Sequence, residues 1–301
     1  MKEHLLYRYS ELFGKRGTTF EIVENTLYYN YNGIIMPFSP ANERVKITEV
    51  QAKGILTRLN GKLLRYTDGV FIFSEVPEWY AIICNKFTNI DQVKSKLRNE
   101  LNKGLSNCHI QHIDAKYVAR YGYEIYLSAL SRYKNYKINP TEESIFVNNI
   151  LSGVDFDDII NYWGVFYHDK LIGYSSTYKF DTTEALYSSI KIDPSFLNYY
   201  PSNALIYKMN EHYLEELRFD YVNDGYRSLL HHTNIQDFLI KKFNFIKAGL
   251  SLRVYYKPLY NCIVKSLYPV REIVNKFEPR LSAILEMERI RRYYVRHSSE
   301  I

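Results

Sequence analysis

Three consecutive strand-like segments joined by short turns limit what this chain can fold into more than any other feature. The segments span residues 162–167, 171–180 and 185–192. Turns of this length connect antiparallel neighbours, whereas parallel neighbours need a crossover of about a dozen residues or more. The sequence therefore predicts an antiparallel meander in the second half of the chain.

Helices and further strands are predicted on both sides of the meander. Asn139-Pro140-Thr141-Glu142 supplies a cap, a proline and an acid for one helix start, and Pro201 opens another helix. Thr233 and Gln236 have capping-box spacing for a third helix. Short strands are predicted at residues 221–222, 245–248 and 250–256. The order α, β, β, β, α, β, α, β, β predicts an α+β fold with a mixed sheet.

The first part of the chain is rich in strand-forming residues. Asn60-Gly61 separates the apolar segments 55–59 and 62–66, which is a strong hairpin signal. Further strands are predicted at residues 26–35, 70–73 and 79–84, and helices at 89–104 and 114–133. With a linker near residue 138, we expect a β-rich domain at 1–138, a mixed domain at 139–260 and a helical tail at 261–301.

Composition narrows the class of protein. A chain of 301 residues with 46% hydrophobic and 24% charged residues can bury a sizeable core. No run approaches the roughly 18 apolar residues of a membrane-spanning helix, and the first residues lack the apolar core of a signal peptide. Three distant cysteines favour a reducing compartment, so a cytoplasmic location is expected. The net charge of +6 suits anionic ligands.

Two further patterns were weighed for binding roles. Cys108, His109 and His112 lack the additional ligands of a zinc site, so no metal is expected. The segment opened by Pro279 has an apolar face and a basic face with Arg289, Arg291, Arg292 and Arg296. Packing on the body of the protein is one interpretation, and peripheral contact with an anionic membrane is the other.

The element order from residue 140 to 256 resembles the GNAT superfamily of N-acetyltransferases. Leu171-Ile172-Gly173-Tyr174 is similar to the family's step between its second and third strands. Ile192-Asp193-Pro194-Ser195-Phe196, followed by Ala204-Leu205-Ile206, is similar to the segment that ends the fourth strand and opens the next helix. Lys241-Lys242-Phe243-Asn244-Phe245 is similar to the family's closing motif.

The resemblance implies an acyl-CoA donor. In that fold the strand at 185–192 splays from the strand at 221–222, and the acyl-thioester arm enters the gap. The pyrophosphate binds the N-terminus of the next helix, where unpaired N–H groups favour anions. The cofactor-binding residues implied are Ile190, Ile192, Tyr199, Tyr200, Ser202, Asn203 and Ala204. Tyr200 and Ser202 stand where the family has glycines, and Ile240 stands where many members have the tyrosine that protonates the leaving thiolate.

A second resemblance addresses these departures. The helix Lys94–Gly104 is similar to one in Fem-type aminoacyltransferases, which contain two GNAT-like domains and often lack the glycine-rich loop. It implies a degenerate GNAT-like first domain, an aminoacyl-tRNA donor and a lipid-linked peptidoglycan precursor as acceptor. The first hypothesis is acyl transfer from a CoA thioester to an amine or hydroxyl of a small or envelope-related acceptor. The alternatives are Fem-type aminoacyl transfer and a non-catalytic binding protein.

Acyl transfer requires a base for the attacking group and a donor for the oxyanion. The candidate catalytic residues are Asp224, His231 and Glu184, and the candidate substrate-binding residues are Tyr174, Ser188 and Arg227. Each has a structural alternative. Asn223-Asp224-Gly225 is also a turn sequence, His231 also fits a hydrogen-bonded structural role, and Arg227 also fits a salt bridge. Glu184 also fits an exposed acid at a strand end.

Overall fold

The contacts of the chain divide it into two compact units. The computed structural model describes residues 1–131, 139–229, 234–274 and 278–297. Unit 1 comprises Met1–Ile82, Tyr226–Asp237 and Lys247–Ile301, and unit 2 comprises Ile83–Gly225 and Phe238–Ile246. The units interleave along the sequence. The predicted boundary near residue 138 adjoins residues outside the described part, and the predicted domain ranges stay predictions.

The secondary structure alternates short helices and strands. The strands are β1 Phe20–Val23, β2 Thr26–Tyr31, β3 Ile34–Phe38, β4 Leu63–Thr67, β5 Tyr80–Cys84, β6 Cys108–Ile113, β7 Ile160–Tyr167, β8 Lys170–Phe180, β9 Glu184–Ile192, β10 Tyr221–Tyr226, β11 Ile246–Gly249 and β12 Leu252–Tyr256. The helices are α1 Glu3–Lys15, α2 Glu49–Arg58, α3 Ser95–Asn107, α4 Ala115–Leu130, α5 Glu143–Leu151, α6 Pro201–Asn210, α7 Asn234–Phe243, α8 Pro258–Leu267, α9 Arg271–Val274 and α10 Pro279–His297. A π-helical segment, Glu211–Glu216, extends α6.

The strands form two sheets. One has the order β1-β2-β3-β4-β12, and the other has the order β11-β5-β10-β9-β8-β7-β6. Each sheet contains a parallel pair, β3 with β4 and β9 with β10, among antiparallel neighbours. The predicted α+β fold with mixed sheets is confirmed.

The predicted meander is confirmed as β7-β8-β9. Its two turns include His168 and Asp181, whose φ angles are 49° and 57°. A left-handed residue turns the chain tightly, and Asp is one of the few non-glycine residues that adopt this conformation readily. Strand β6 was not predicted. It pairs with β7 from Cys108↔Tyr167 to Ile113↔Tyr162. Its several polar residues do not form the pattern that predicts a strand from sequence.

Two predictions for the first part of the chain are wrong. Asn60-Gly61 does not turn a hairpin, because residues 55–58 belong to α2. Asn60 has a φ of 48°, and the Gly61 N–H donates to the Leu56 carbonyl at 2.9 Å, which ends the helix instead. Residues 70–73 do not form a strand either, since Ile72 makes only an isolated bridge with Gly249. A left-handed residue such as Asn60 suits a helix end as well as a hairpin.

Gly104 was predicted to end its helix, and it lies inside α3 instead. A Cβ on Gly104 would lie 2.7 Å from the Tyr200 carbonyl oxygen and 3.3 Å from the Ala204 Cβ. The glycine therefore permits α3 to approach the first turn of α6 closely. Its role is packing between helices, and a glycine in the sequence is equally consistent with a helix end and with a close helix contact.

We expect Gly104→Ala to lower the free energy of unfolding by about 1–3 kcal/mol, because the backbone of Tyr200 leaves no room for a methyl group. Urea unfolding followed by circular dichroism measures this. Gly14→Ala in α1 is the matched control, since no atom lies within 4 Å of its Cβ position. That control should be neutral or slightly stabilising. An equal effect of the two substitutions would contradict the close approach of α3 to α6.

Three arginines of α10, Arg289, Arg291 and Arg292, form ion pairs within unit 1. Arg291 and Arg292 bond the buried carboxylate of Glu288, each at 2.7 Å. Arg289 bonds Glu286 at 2.7 Å and also pairs with Glu78. These contacts favour packing on the body of the protein, and membrane contact stays a prediction. In the described part of the chain, no helix combines the length and apolarity needed to cross a bilayer.

Candidate active site

The parallel pair β9 and β10 forms a fork in unit 2. The strands pair at only three positions, Tyr221↔Glu184, Val222↔Ala185 and Asn223↔Leu186. Both strands continue beyond this point, β9 to Ile192 and β10 to Tyr226. The edge of β9 that faces away from β8 is thus released from β10 after Leu186. Such an edge offers backbone groups to an extended ligand.

A bulge in β9 lies just inside the fork. Tyr187 pairs with Thr177 and Ser189 pairs with Ser176, so Ser188 is the extra residue between them. A bulge interrupts the ladder and re-aims the neighbouring groups. Ser188 is exposed, as its predicted substrate-binding role requires. Its contact with a substrate stays a prediction.

Asp224 occupies the mouth of the fork. It is the first residue of β10 beyond the last pair with β9, and it is half-buried. Burial raises the pKa of Tyr187 well above its ordinary value, and Tyr213, Cys84 and Asp224 nearby add to the rise. Tyr187 therefore remains protonated, and its hydroxyl donates to Asn210 Oδ1 at 2.8 Å. The mouth of the fork thus combines one carboxylate with a fixed phenol donor.

Glu184 lies at the closed end of the fork. Its residue is 1% exposed, so the expectation of an exposed acid at a strand end is wrong. Its carboxylate accepts from the Tyr221 hydroxyl at 2.6 Å and from Asn223 Nδ2 at 2.9 Å. These bonds fasten the start of β10 to β9, which makes Glu184 a residue that shapes the fork. Its predicted catalytic role stays a prediction.

Three catalytic and substrate-binding candidates remain, namely His231, Arg227 and Tyr174. His231 falls outside the described residues. Arg227 belongs to unit 1, where it bonds the Glu78 carbonyl at 2.9 Å and the Glu286 carboxylate at 3.2 Å. The salt-bridge alternative for Arg227 is the one that the structure displays. Tyr174 is buried against Phe146, with ring centroids 6.3 Å apart, and burial raises its pKa.

The N-terminus of α6, where the resemblance places a pyrophosphate, is covered by α3. Tyr200 adopts a left-handed conformation with a φ of 57°, as a glycine would, and its carbonyl begins the helix. Gly104 of α3 lies directly on this turn. Asn203 and Ala204 are buried, at 3% and 0% exposure, while Ser202 is half-buried. The first turn of α6 is therefore an interface between helices.

A buried polar cluster fixes α3 in this position. Glu100 of α3 accepts from Asn203 Nδ2 at 3.0 Å and forms an ion pair with Lys242 of α7. The side chain of Glu100 is 12% exposed, so both partners satisfy a nearly buried carboxylate. Breaking such a cluster leaves an uncompensated charge, which makes the arrangement rigid. No local pattern in the sequence indicates the cluster, because Glu100 is 103 residues from Asn203 and 142 residues from Lys242 along the chain.

The other residues implied by the first resemblance are Ile190, Ile192 and Tyr199. Ile190 and Ile192 lie on β9 beyond the bulge, opposite Ser175 and Gly173 of β8. Tyr199 packs against Tyr167 of β7, with ring centroids 4.4 Å apart, and so lies across β8 from the fork. Ile190 and Ile192 are thus beside the fork, and Tyr199 is not. Binding of a CoA donor by them stays a prediction.

The fold can now be compared with known proteins. No protein-family profile and no curated protein sequence matches the chain. Three solved structures are similar in fold. The match to FemX covers 85% of this chain and 93% of the FemX chain, at 10% identity and a TM-score of 0.58. The C-terminal domain of an Agrobacterium fabrum protein assigned as a lysylphosphatidylglycerol synthetase covers 86% and 90%, at 9% identity and a TM-score of 0.50.

The third is a tandem GNAT protein from the clavulanic acid biosynthesis pathway. The match covers 77% of this chain and 78% of the tandem GNAT chain, at 9% identity and a TM-score of 0.43. Identities this low speak for the fold alone. A parallel strand pair connected by a helix occurs in each of the two sheets. The chain shares its fold with FemX, as the resemblance to Fem-type proteins implies.

Proposed function

We propose that this protein is an acyltransferase of the Fem type, which moves an aminoacyl group from an ester-linked tRNA donor to an amine of a cell-envelope precursor. The observation that carries the proposal is the contrast between the open edge of β9 and the covered first turn of α6. An acyl group can lie between β9 and β10, whereas α3 covers the first turn of α6, where the GNAT resemblance places a pyrophosphate.

The covered helix end argues for a donor other than CoA. A pyrophosphate at a helix N-terminus needs close access to unpaired N–H groups. The N–H groups of Asn203 and Ala204 both point to the Tyr200 carbonyl, at 3.1 and 3.2 Å. An aminoacyl ester on RNA carries no pyrophosphate next to its acyl group. Its phosphates lie farther away and can be bound by a basic surface.

The exposed face of α3 supplies such a surface. Lys94, Lys96 and Lys103 are exposed on or next to this helix. Arg98, by contrast, turns inward and donates to the carbonyls of Ile90 and Asp91, at 3.2 and 2.6 Å. Three lysines on one helix and a net charge of +6 favour a polyanionic partner.

The fork provides groups for the transfer step. Asp224 accepts a proton from the attacking amine as its nitrogen bonds to the ester carbonyl carbon. Backbone N–H groups on the free edge of β9 are placed to stabilise the oxyanion that forms. The ester C–O bond then breaks, and the leaving hydroxyl takes the proton. Tyr187, held protonated, fixes the local geometry through Asn210.

The donor is tested by offering both classes side by side. One reaction contains a mixture of labelled aminoacyl-tRNAs with peptidoglycan precursors, and the other contains acetyl-CoA and longer acyl-CoAs with the same acceptors. We expect transfer from tRNA only, and no calorimetric binding of CoA. Transfer from an acyl-CoA would contradict the proposed donor and favour the CoA alternative. No transfer from either class would favour a non-catalytic binding protein.

A further inference from the structure

Unit 1 contains a second fork with a different residue at its mouth. Strands β3 and β4 are parallel and pair at only two positions, Ile34↔Leu63 and Ile35↔Leu64. Helix α2 connects them, as α6 connects β9 and β10. The first residue of β4 beyond the pairing is Arg65, in the place that Asp224 occupies in unit 2. The two forks therefore offer opposite charges.

The guanidinium of Arg65 lies between the diverging strands. Its Nε donates to the thioether sulfur of Met36 on β3 at 3.0 Å. Its central carbon lies 5.3 Å from the centre of the Trp79 ring, and the phenols of Tyr29 and Tyr226 lie nearby. A thioether is a weak acceptor, and a guanidinium has five N–H donors. These contacts leave most of its donor capacity unused.

No carboxylate pairs with Arg65 among the described residues. Glu78, next to Trp79 in the sequence, and Glu286 have their carboxylates in other ion pairs. Glu78 pairs with Arg227 and Arg289, and Glu286 pairs with the same two arginines. Buried or enclosed arginines are normally paired, because an unpaired charge in a protein interior is costly. Arg65 is thus a charge without its counterpart.

Protein encloses most of the Arg65 side chain, but solvent still reaches part of it. Protein surrounds the guanidinium closely enough that burial lowers its pKa, while the residue keeps partial solvent exposure. The Trp79 Nε1 atom is buried and has no hydrogen-bond partner among the described residues. The Trp79 ring stacks on Tyr226, with centroids 5.7 Å apart and planes 18° apart. The unpaired guanidinium of Arg65 therefore lies against a stacked aromatic pair.

We propose that the fork of unit 1 is a binding site for an oxyanion, a carboxylate or phosphate group of a ligand, with Arg65 as its charged floor. A guanidinium fork binds either group with two parallel hydrogen bonds. The Trp79 ring is buried behind the guanidinium, and the half-buried Tyr226 ring stacked on it is the aromatic surface available to the rest of the ligand. This site stands apart from the proposed donor and does not depend on it.

Trp79 offers a direct readout. The chain has two tryptophans, Trp79 and Trp163. In a Trp163→Phe background the fluorescence of Trp79 alone is titrated with sodium phosphate and, separately, with sodium acetate, at constant ionic strength. We expect a saturable change with at least one of the two anions. The anion that acts identifies the group as phosphate or carboxylate.

Matched variants separate a binding role from a structural one. Arg65→Met should abolish the fluorescence change and leave the thermal midpoint in anion-free buffer equal or higher, because an enclosed unpaired charge is removed. Arg65→Lys should weaken anion binding at least about tenfold, since it keeps the charge but loses the fork. Arg253→Met, an exposed arginine on the neighbouring β12, should bind the anion as the parent does.

Three results would overturn the site. The first is no saturable change with either anion in the parent. The second is an equal loss of the change in Arg65→Met and Arg253→Met. The third is a large fall in thermal midpoint for Arg65→Met together with unchanged anion binding, which would show that Arg65 only holds Trp79 in place.

Discussion

Replacing Asp224 by Asn should lower the rate of acyl transfer by about 100-fold or more and leave the fold intact. The carboxylate lies at the mouth of the fork, half-buried and beside Tyr187, where an attacking amine must lose its proton. Asparagine keeps the shape of the side chain and removes its ability to accept that proton. The loss should appear in kcat, with little change in KM for the acceptor.

Asp220→Asn is the control for this variant, because Asp220 is an exposed acid one residue before the same strand. It should retain parental activity. Circular dichroism and the thermal midpoint of both variants should match those of the parent. Parental activity in Asp224→Asn would remove Asp224 as the base and leave Glu184 and His231, which lies outside the described residues, as the remaining candidates.

Replacing Glu288 by Gln should lower the free energy of unfolding by about 1–3 kcal/mol at pH 7. The side chain is 2% exposed and holds Arg291, Arg292 and the Tyr256 hydroxyl. Burial by itself raises the pKa of Glu288, but the hydrogen bonds from the two arginines outweigh it, and the net pKa is lowered. Glutamine removes the charge that both arginines require.

The lowered pKa of Glu288 determines how the free energy of unfolding changes with pH. Because the pKa of Glu288 is lower in the folded than in the unfolded chain, the carboxylate stabilises the fold fully above its unfolded pKa of about 4.3. That stabilisation is lost as the pH falls through the lowered folded pKa. The parent and Glu288→Gln should therefore differ at pH 7 and converge in acid.

Urea unfolding at a series of pH values measures the difference. Glu272→Gln is the matched control, since Glu272 is 86% exposed and its ion pair with Arg271 spans 3.8 Å. Exposed pairs of this kind contribute little, so the control should match the parent at every pH. A constant difference between parent and Glu288→Gln from pH 7 to pH 3 would show that shape, and not charge, explains the effect.

Local sequence signals gave correct predictions where they were consistent with only one kind of structure. Strands with a left-handed turn between them identified the meander, and the acid at Asp114 correctly marked the start of α4, where it accepts from the Tyr117 N–H at 2.6 Å. Signals with two meanings misled. Asn60-Gly61 and Gly104 both pointed to local turns or ends, and the structure uses them for a helix end and a close helix contact.

The sequence by itself determined the order of elements from residue 139 onwards, because periodicity, turns and caps act within short windows. The fork between β9 and β10 was implied by the resemblance to the GNAT superfamily. Only the tertiary structure decided what the fork offers. It set α3 across the first turn of α6, buried Glu184 at the closed end of the fork, and left Arg65 unpaired in the second fork. Each of these depends on residues far apart in the chain, and their burial and pairing are fixed only when the helices and sheets pack.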